Sequence, residues 1–490
     1  MIGYWSNLTG TKKLRQFMRS LPRDLRTIQD RQASVNFFSH PDQLELCKAL
    51  QKCLSNIKNV PRCLRKLSNN QASVKDWKTL VKSVNNMVAL CEISQHPTLQ
   101  EPMRIPICEA LRAACTEEVK AIRHHLDNTL DMERSHEKGQ AVVRCGVDED
   151  LDELRRLHNG LPDLLEKVIF EDINTLPEEL ESAYYSYIPM VGFLLAARLQ
   201  NPELTQTMTE EQWEGAFPGL NFELFEGGVP HFKNGRCRQL DAEIGDTFGK
   251  ISEREIEITV HLSNFILART EQLMEIVDLS SELDVLLSMA QAGVEQNWRP
   301  AAVVARGDLD IVAGRHPLQE IVRNEPFVPN STLMCEDPDD HSSASRGKSE
   351  RGDGRGSGGG KTGQRQTISD MRPRGKVVVL TGPNACGKSV YLKQVGLIVY
   401  MAHLGCWIPA ESACVPLFDA IYTRIQTVES MELGLSAFMV DLNQMAHAIT
   451  TATPRSLVLV DEFGKVKVTP IFFTVFFKTS KTRFYKLPAA

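Results

Sequence analysis

Apolar residues recur at helical spacing through the first ninety positions of the chain. Leu14, Phe17, Met18 and Leu21 follow an i, i+3, i+4, i+7 order, and Pro22 closes that segment. Trp77, Leu80, Val81, Val84, Val88 and Cys91 mark a second stripe, so residues 11–93 read as consecutive helices that bury one face. From Val142 the pattern changes. An acidic run, Asp148–Asp152, precedes Leu154, Leu157, Leu161 and Leu164. Tyr184–Leu195 and Phe222–Phe232 are then rich in aromatic and β-branched residues, with Gly227-Gly228 breaking the second stretch; they predict strands and a hairpin. A long helical pattern returns over about 250–292, where Ile256, Ile258, Val260, Leu262, Phe265, Ile266 and Leu273 supply apolar surface beside the polar Arg254 and Glu255. Helices, a small mixed insert and a returning helix make the order of an arm with an inserted tip.

The last third reads differently. Val377–Leu380 and Leu457–Val460 are short apolar runs that predict buried strands, and Val395–Ala402 suits a buried helix, being too short to span a bilayer. Between them and the arm, residues 341–376 are Gly/Ser-rich and carry nine Lys/Arg against three acids, the composition of a flexible basic insertion. Such a segment is either solvated linker or a contact to DNA phosphates.

Length and charge add two points. A chain of 490 residues has room for about three domains, and 42% hydrophobic with 24% charged residues is ordinary for a globular protein. The net charge of −6 conceals an asymmetry: residues 1–82 hold 16 Lys/Arg against five Asp/Glu. That block fits either a polyanion partner or the solvated face of long helices. Twelve cysteines without a C-x-x-C pair indicate neither a zinc site nor a disulfide framework. His124, His125 and His136 lack partners at metal-ligand spacing and read as surface residues. No signal peptide opens the chain and no membrane partner is expected.

The chemistry concentrates after residue 377. Gly382-Pro383-Asn384-Ala385-Cys386-Gly387-Lys388-Ser389 completes the phosphate-loop pattern G-x-x-x-x-G-K-[ST] directly behind a predicted strand. The glycines let backbone N–H groups approach phosphates, Lys388 supplies positive charge, Ser389 can ligate Mg²⁺, and the following helix presents its positive N-terminus. Leu457–Val460 ends in Asp461-Glu462, where the first carboxylate suits Mg²⁺ and the second can orient a water. Between them Ser436 is suited to cap a helix running through Leu442, Met445, Ala446 and Ile449. That helix is either an ordinary capped helix or one whose free N–H groups meet an anion.

The runs Thr381–Gly396 (TGPNACGKSVYLKQVG), Ser436–Asp441 (SAFMVD) and Leu457–Lys465 (LVLVDEFGK) resemble the ATPase domain of the MutS family. Leu14–Phe38, Cys145–Arg155, Leu283–Ala290, Gly314–Leu318 (GRHPL) and Phe327–Asn330 (FVPN) are similar to further family segments in the same order. Ile57–Pro61, Val74–Trp77, Ile188–Leu195 and Leu433–Gln444 look most like its meiotic eukaryotic branch. The resemblance implies a multidomain protein: an α-helical core/lever with a mixed α/β clamp insertion, followed by an α/β P-loop, ABC-like ATPase domain. By domains this gives first core/lever helices over 1–141, a clamp-like insertion over 142–250, a returning lever helix over 251–300, and an ATPase domain over 301–465. The basic insertion at 335–374 interrupts the last, and 466–490 is a tail unlike the family. Gly382–Ser389 would cradle the phosphates of ATP, Ser389 with Asp461 would hold Mg²⁺, and Glu462 would serve the hydrolytic water. Phe327 would stack on adenine, and Ser436 would reach the nucleotide of a partner subunit in trans. The resemblance further implies a nuclear, DNA-binding subunit acting on double-stranded and branched DNA such as Holliday junctions, as a heterodimer with the meiotic MutS protein homolog 4.

The departures set further expectations. Ala437 stands where the family usually has threonine, and after Lys465 the family continues through further strands and a switch loop where this chain has Val466–Ala490. The ATPase domain is therefore expected to be C-terminally incomplete and the chain a partial product truncated at both ends. Ile471–Phe477 is apolar and β-prone, an aggregation liability if exposed. Other readings are a non-hydrolysing interaction form, a mismatch-repair homologue, or another composite-site ATPase. The last expects an LSGG-type signature, unlike Leu435-Ser436-Ala437-Phe438.

Overall fold

The periodic N-terminal ninety residues form five helices: α1 (Leu8–Arg19), α2 (Leu25–Phe38), α3 (Leu44–Asn56), α4 (Val60–Ser68) and α5 (Val74–Ile93). Pro22 does fall between α1 and α2, and Asp24 caps α2 by accepting the Thr27 N–H at 3.0 Å. Leu14, Phe17, Trp77, Leu80, Val84, Val88 and Cys91 are buried as their spacing predicts, whereas Met18 is exposed. This computed structural model describes residues 8–95, 105–172, 180–199, 217–322, 326–335, 376–383, 386–425, 437–461 and 473–477, and the side chains of 8–9, 199, 437–441 and 473–477 lie outside the description.

Helices α6 (Pro106–Ala114), α7 (Glu117–Thr129), α8 (Met132–Lys138), α9 (Glu149–Asn159) and α10 (Leu161–Asp172) follow. The leucine series after the acidic run does not form one stripe, because Gly160 ends α9 and resets the phase. Leu161, Leu165 and Val168 are buried, while Leu157 and Leu164 face out. The aromatic and β-branched region is an antiparallel sheet of β1 (Leu180–Ile188), β2 (Gly192–Leu199), β3 (Asn221–Glu226) and β4 (Val229–Lys233), in the order β1-β2-β4-β3. It holds two hairpins rather than one. Gly227 and Gly228 turn the second with φ of +58° and +81°, both in the positive region that a two-residue I′ turn needs. Leu161, Leu165, Tyr185, Phe193 and Phe232 pack into the core beneath this sheet, together with Leu240 of α11 (Gly235–Glu243).

The long helical pattern of 250–292 is two helices, α12 (Thr247–Leu267) and α13 (Thr270–Glu295), separated at Ala268-Arg269. Arg254 and Glu255, which sequence marked only as polar, tie α12 to α9. Arg254 donates to Asp148 at 2.8 Å, and Arg155 donates to the buried Glu255 at 2.6 Å.

The last third contains β5 (Ala302–Val304), β6 (Leu309–Gly314), α14 (Pro317–Val322), β7 (Asn330–Met334), β8 (Val377–Leu380) and α15 (Lys388–Leu404). It continues through β9 (Ser412–Pro416), β10 (Ala420–Arg424), α16 (Ala437–Thr451), β11 (Ser456–Val460) and β12 (Phe473–Phe477). These strands make two sheets, β5-β9-β6-β7 and β10-β11-β12-β8. In the second, β10 and β11 are parallel, and β12 runs antiparallel to both β11 and β8. The expectation of a buried strand before the phosphate loop is corrected here. Val378 is buried, but Val377 and Val379 are 41% and 51% exposed, because β8 is the edge strand of its sheet. The β-prone stretch 471–477 contributes β12, paired on both sides.

The chain divides into two compact units, Met1–Lys58 with Ala89–Ala114 and Glu275–Ala490, and Asn59–Val88 with Cys115–Met274. All twelve cysteines are free, and His124, His125 and His136 are exposed. Among the described residues no group of His, Cys, Asp and Glu could hold a metal ion, and no helix is long and apolar enough to cross a membrane.

Candidate nucleotide site

The phosphate-loop pattern folds as strand, turn and helix. β8 ends at Leu380, Gly382 and Pro383 follow in an exposed turn, and α15 starts at Lys388. Two glycines shape this turn. A Cβ on Gly382 would meet Cys386 Sγ at 3.1 Å, and Gly387 caps α15 with φ +97°. Gly387 has no side chain with which to cap that helix N-terminus, where the helix dipole places partial positive charge. Lys388 Nζ donates to Gly382 O and Pro383 O, 2.7 Å each, and sits 3.7 Å from Cys386 Sγ. Its ammonium therefore lies inside the loop it would have to serve. The donor set and the open turn fit an anionic phosphate chain. Cys386 is exposed and Ser389 half-buried; Asn384 and Ala385 lie outside the described residues.

The second element is β11, all five of whose residues are buried, ending in the buried Asp461. The Asp461 N–H donates to Arg424 O at 2.7 Å, and Arg424 Nη1 donates back to Asp461 O, which fixes the end of β11 against β10. Register then relates Asp461 to the loop. Thr474 of β12 faces Val460 on one side and Val379 on the other, and Phe473 faces Leu380. Both β8 and β11 run opposite to β12, so they end at the same sheet edge. One residue beyond Val460, Asp461 is level with Leu380 two strands away, about 10 Å at ordinary strand spacing. The start of the phosphate loop and the carboxylate thus share one edge.

Helix α15 joins this edge to the segment carrying Phe327. Its Gly396 lets α15 approach β11 so closely that a Cβ there would meet Leu459 Cδ1 at 2.6 Å. Toward the other sheet, Tyr391 and Thr332 share a hydroxyl–hydroxyl bond of 2.6 Å, and the buried Gln394 donates to Asn330 O at 3.4 Å. Gly314 is needed here too, because a Cβ would lie 2.8 Å from Gln394 Nε2. Half-buried Phe327 lies three residues before Asn330, which these contacts tie to α15. In the GRHPL segment His316 is buried and accepts the Leu318 and Gln319 N–H groups at 3.3 Å, starting α14; burial pushes its pKa down, as does the charge of Lys393.

Sequence reasoning named Lys388, Ser389, Phe327 and Asp461 but missed Arg424, which bonds Asp461, and Gln394, Tyr391 and Gly396, which pack α15 against its two sheets. Only Gly396, a glycine inside an apolar helix, carried a readable signal, that of close packing. Ser436 and Glu462 lie outside the described residues, though α16 does begin at Ala437.

These features define a helix-rich multidomain protein with small sheets, one of which carries a segment of phosphate-loop pattern. The chain belongs to the MutS family: MutS domain III matches residues 8–290 and MutS domain V residues 378–470. It is 30% identical to MutS protein homolog 5 of Saccharomyces cerevisiae over 455 residues, 90% of this chain and 46% of that protein. To MutS protein homolog 5 of Caenorhabditis elegans it is 27% identical over 94% of this chain and 30% of the relative. To the DNA mismatch repair protein MutS of Synechocystis it is also 27% identical, over 94% of this chain and 46% of the relative. The chain spans between about a third and a half of the length of these relatives.

Proposed function

We propose that this chain is an ATP-dependent, DNA-binding subunit of a MutS-type heterodimeric clamp that acts in the nucleus on meiotic recombination intermediates. The observation that supports the reading is that Leu380, the end of the strand before the G-x-x-x-x-G-K-S pattern, and Asp461 lie at one sheet edge, in a chain of MutS domains III and V. The domain limits follow the sequence: core/lever helices over 1–141, clamp over 142–250, returning lever over 251–300, and P-loop ATPase over 301–465 with its 335–374 insertion.

Bound MgATP would supply a cleavable terminal phosphoryl group and a cation that neutralises it. The chain's own residues do the rest. Gly382 to Gly387 and the N–H groups opening α15 would receive the phosphates, and Lys388 would supply positive charge to them. Ser389 and Asp461 would hold the cation, Glu462 would orient the attacking water, and Phe327 would offer a ring to the base. Ser436 is assigned to the nucleotide of the other subunit. A second reading is a non-hydrolysing interaction subunit that binds its partners without turning over ATP.

The test is co-expression with the meiotic MutS protein homolog 4, followed by binding to Holliday-junction and linear duplex DNA with and without ATP. The expected outcome is a stable heterodimer that prefers the junction and responds to ATP, with the response lost in Lys388→Ala. A chain that forms no complex and binds neither DNA rejects the proposal. A complex that binds DNA without hydrolysing ATP selects the second reading.

A further inference from the structure

We propose, on the basis of the nucleotide reading above, that Asn330 and Gln394 are positioning residues for the base: they hold the segment from which Phe327 would stack. Exposure shows why that segment needs holding. Val328 is 75% exposed and Pro329 is exposed too, so neither side chain packs the segment against the protein. Proline restricts it in part, since Pro329 has a fixed φ and biases Val328 toward extended backbone. The Asn330 side chain adds the remaining restraint, its Nδ2 donating to Val328 O at 3.0 Å.

The same amide reaches α15. Asn330 Nδ2 donates to Gln394 Oε1 at 3.5 Å, and Gln394 Nε2 donates to the Asn330 main-chain O at 3.4 Å. Both bonds are long, and confinement makes up for their length. Gln394 has no exposed surface, and a Cβ on Gly314 would lie 2.8 Å from its Nε2, so this amide has little room to move. A fully buried amide costs free energy unless its polar atoms are bonded, whereas an apolar side chain of similar volume would carry no such cost. The polar residue at 394 is therefore tied to Asn330.

Two further features make this role separable from holding the fold. Tyr391, three residues earlier on α15, shares its 2.6 Å hydroxyl bond with the buried Thr332, so β7 stays fastened to the helix without the amide pair. Gln394 lies six residues after Lys388, about 9 Å along α15. A ribose with its α-phosphate spans such a length, so phosphates at the helix start and a base at Phe327 are compatible with one nucleotide.

The experiment compares calorimetric binding of ATP and of inorganic tripolyphosphate, which has the phosphates but no base, to the full chain with Mg²⁺ in both series. Phe327→Ala should weaken ATP about tenfold, and Asn330→Ala and Gln394→Met about fivefold each, with tripolyphosphate within about twofold of the native value throughout. The double variant Phe327→Ala with Asn330→Ala should bind ATP as Phe327→Ala does, because Asn330 acts through the ring. Gln394→Met keeps the buried volume and decides the matter if Asn330→Ala does not fold. Equal losses on ATP and tripolyphosphate overturn the proposal and make the amides structural. Losses that multiply in the double variant, or no loss on either ligand, overturn it as well. A native chain that binds neither ligand removes the nucleotide reading itself and this proposal with it, a failure visible before any variant is made.

Discussion

Gly396 shows how one missing side chain sets the distance between a helix and a sheet. Leu459 is fully buried, so its methyl has no room to retreat from a Cβ 2.6 Å away. Gly396→Ala is expected to destabilise by about 1–3 kcal/mol, the cost of overpacking a filled core, as read from urea unfolding. His403 makes a different prediction. Its Nδ1 bonds Val399 O at 2.9 Å, its Nε2 accepts the Phe418 N–H at 3.0 Å, and burial holds its pKa below the ordinary imidazole value. The folded state therefore binds fewer protons than the unfolded chain. Its contribution is complete above pH of about 6.5 and is lost as pH falls through the depressed folded pKa. His316, lowered in the same direction, adds to this slope. Unfolding midpoints measured between pH 7.5 and pH 5 should fall for the native chain and fall less steeply for His403→Gln. A midpoint flat in pH for the native chain would contradict the assignment. None of this was legible in the sequence, where His403 is one more residue in an apolar helix.

At the scale of elements, β12 decides whether β8 and β11 share a sheet, because neither pairs with the other directly. Thr474, Val475 and Phe476 each face both neighbours, so Val475→Pro removes a central ladder donor and splits the sheet. The proposed site supplies a readout. Cys386 and Cys145 are the two exposed cysteines among the described residues. MgATP should slow alkylation of Cys386 but not of Cys145, and Val475→Pro should remove that protection. Protection that persists in the variant would show that the loop works without β12. The strand and helix flanking the phosphate-loop pattern were readable because that pattern is local: glycine, lysine and serine at fixed spacing between β8 and α15. The edge position of β8 was not, since four apolar residues look alike at the centre and rim of a sheet until their pairing partners are known. The ion pairs of Arg254 with Asp148 and of Arg155 with Glu255 span 106 and 100 positions, beyond any periodicity rule.

For the whole molecule, the sequence disclosed the order of its parts better than their inner breaks. The stripe from Trp77 to Cys91 and the turn at Gly227-Gly228 were plain, because helix phase and positive φ leave residue-level marks. The separation of α12 from α13 at Ala268-Arg269 left none, as neither residue breaks helices. The charge asymmetry remains the feature with the broadest consequence for the proposed DNA contact. Arg15, Arg19, Arg23 and Arg26 are exposed within the basic block of residues 1–82. Changing all four to glutamine should lower the slope of log affinity against log salt by about one for each arginine that meets a phosphate. An unchanged slope would make the block a solvated face. The position of β12 also has a consequence in time. Leu380 waits for Phe473, 93 residues downstream, before its strand gains a partner. During synthesis this sheet cannot close until the last of its strands has left the ribosome. Until then the nascent chain carries the largely apolar β11 with one side unpaired, and its yield in cells will depend on how long chaperones keep that strand apart from others.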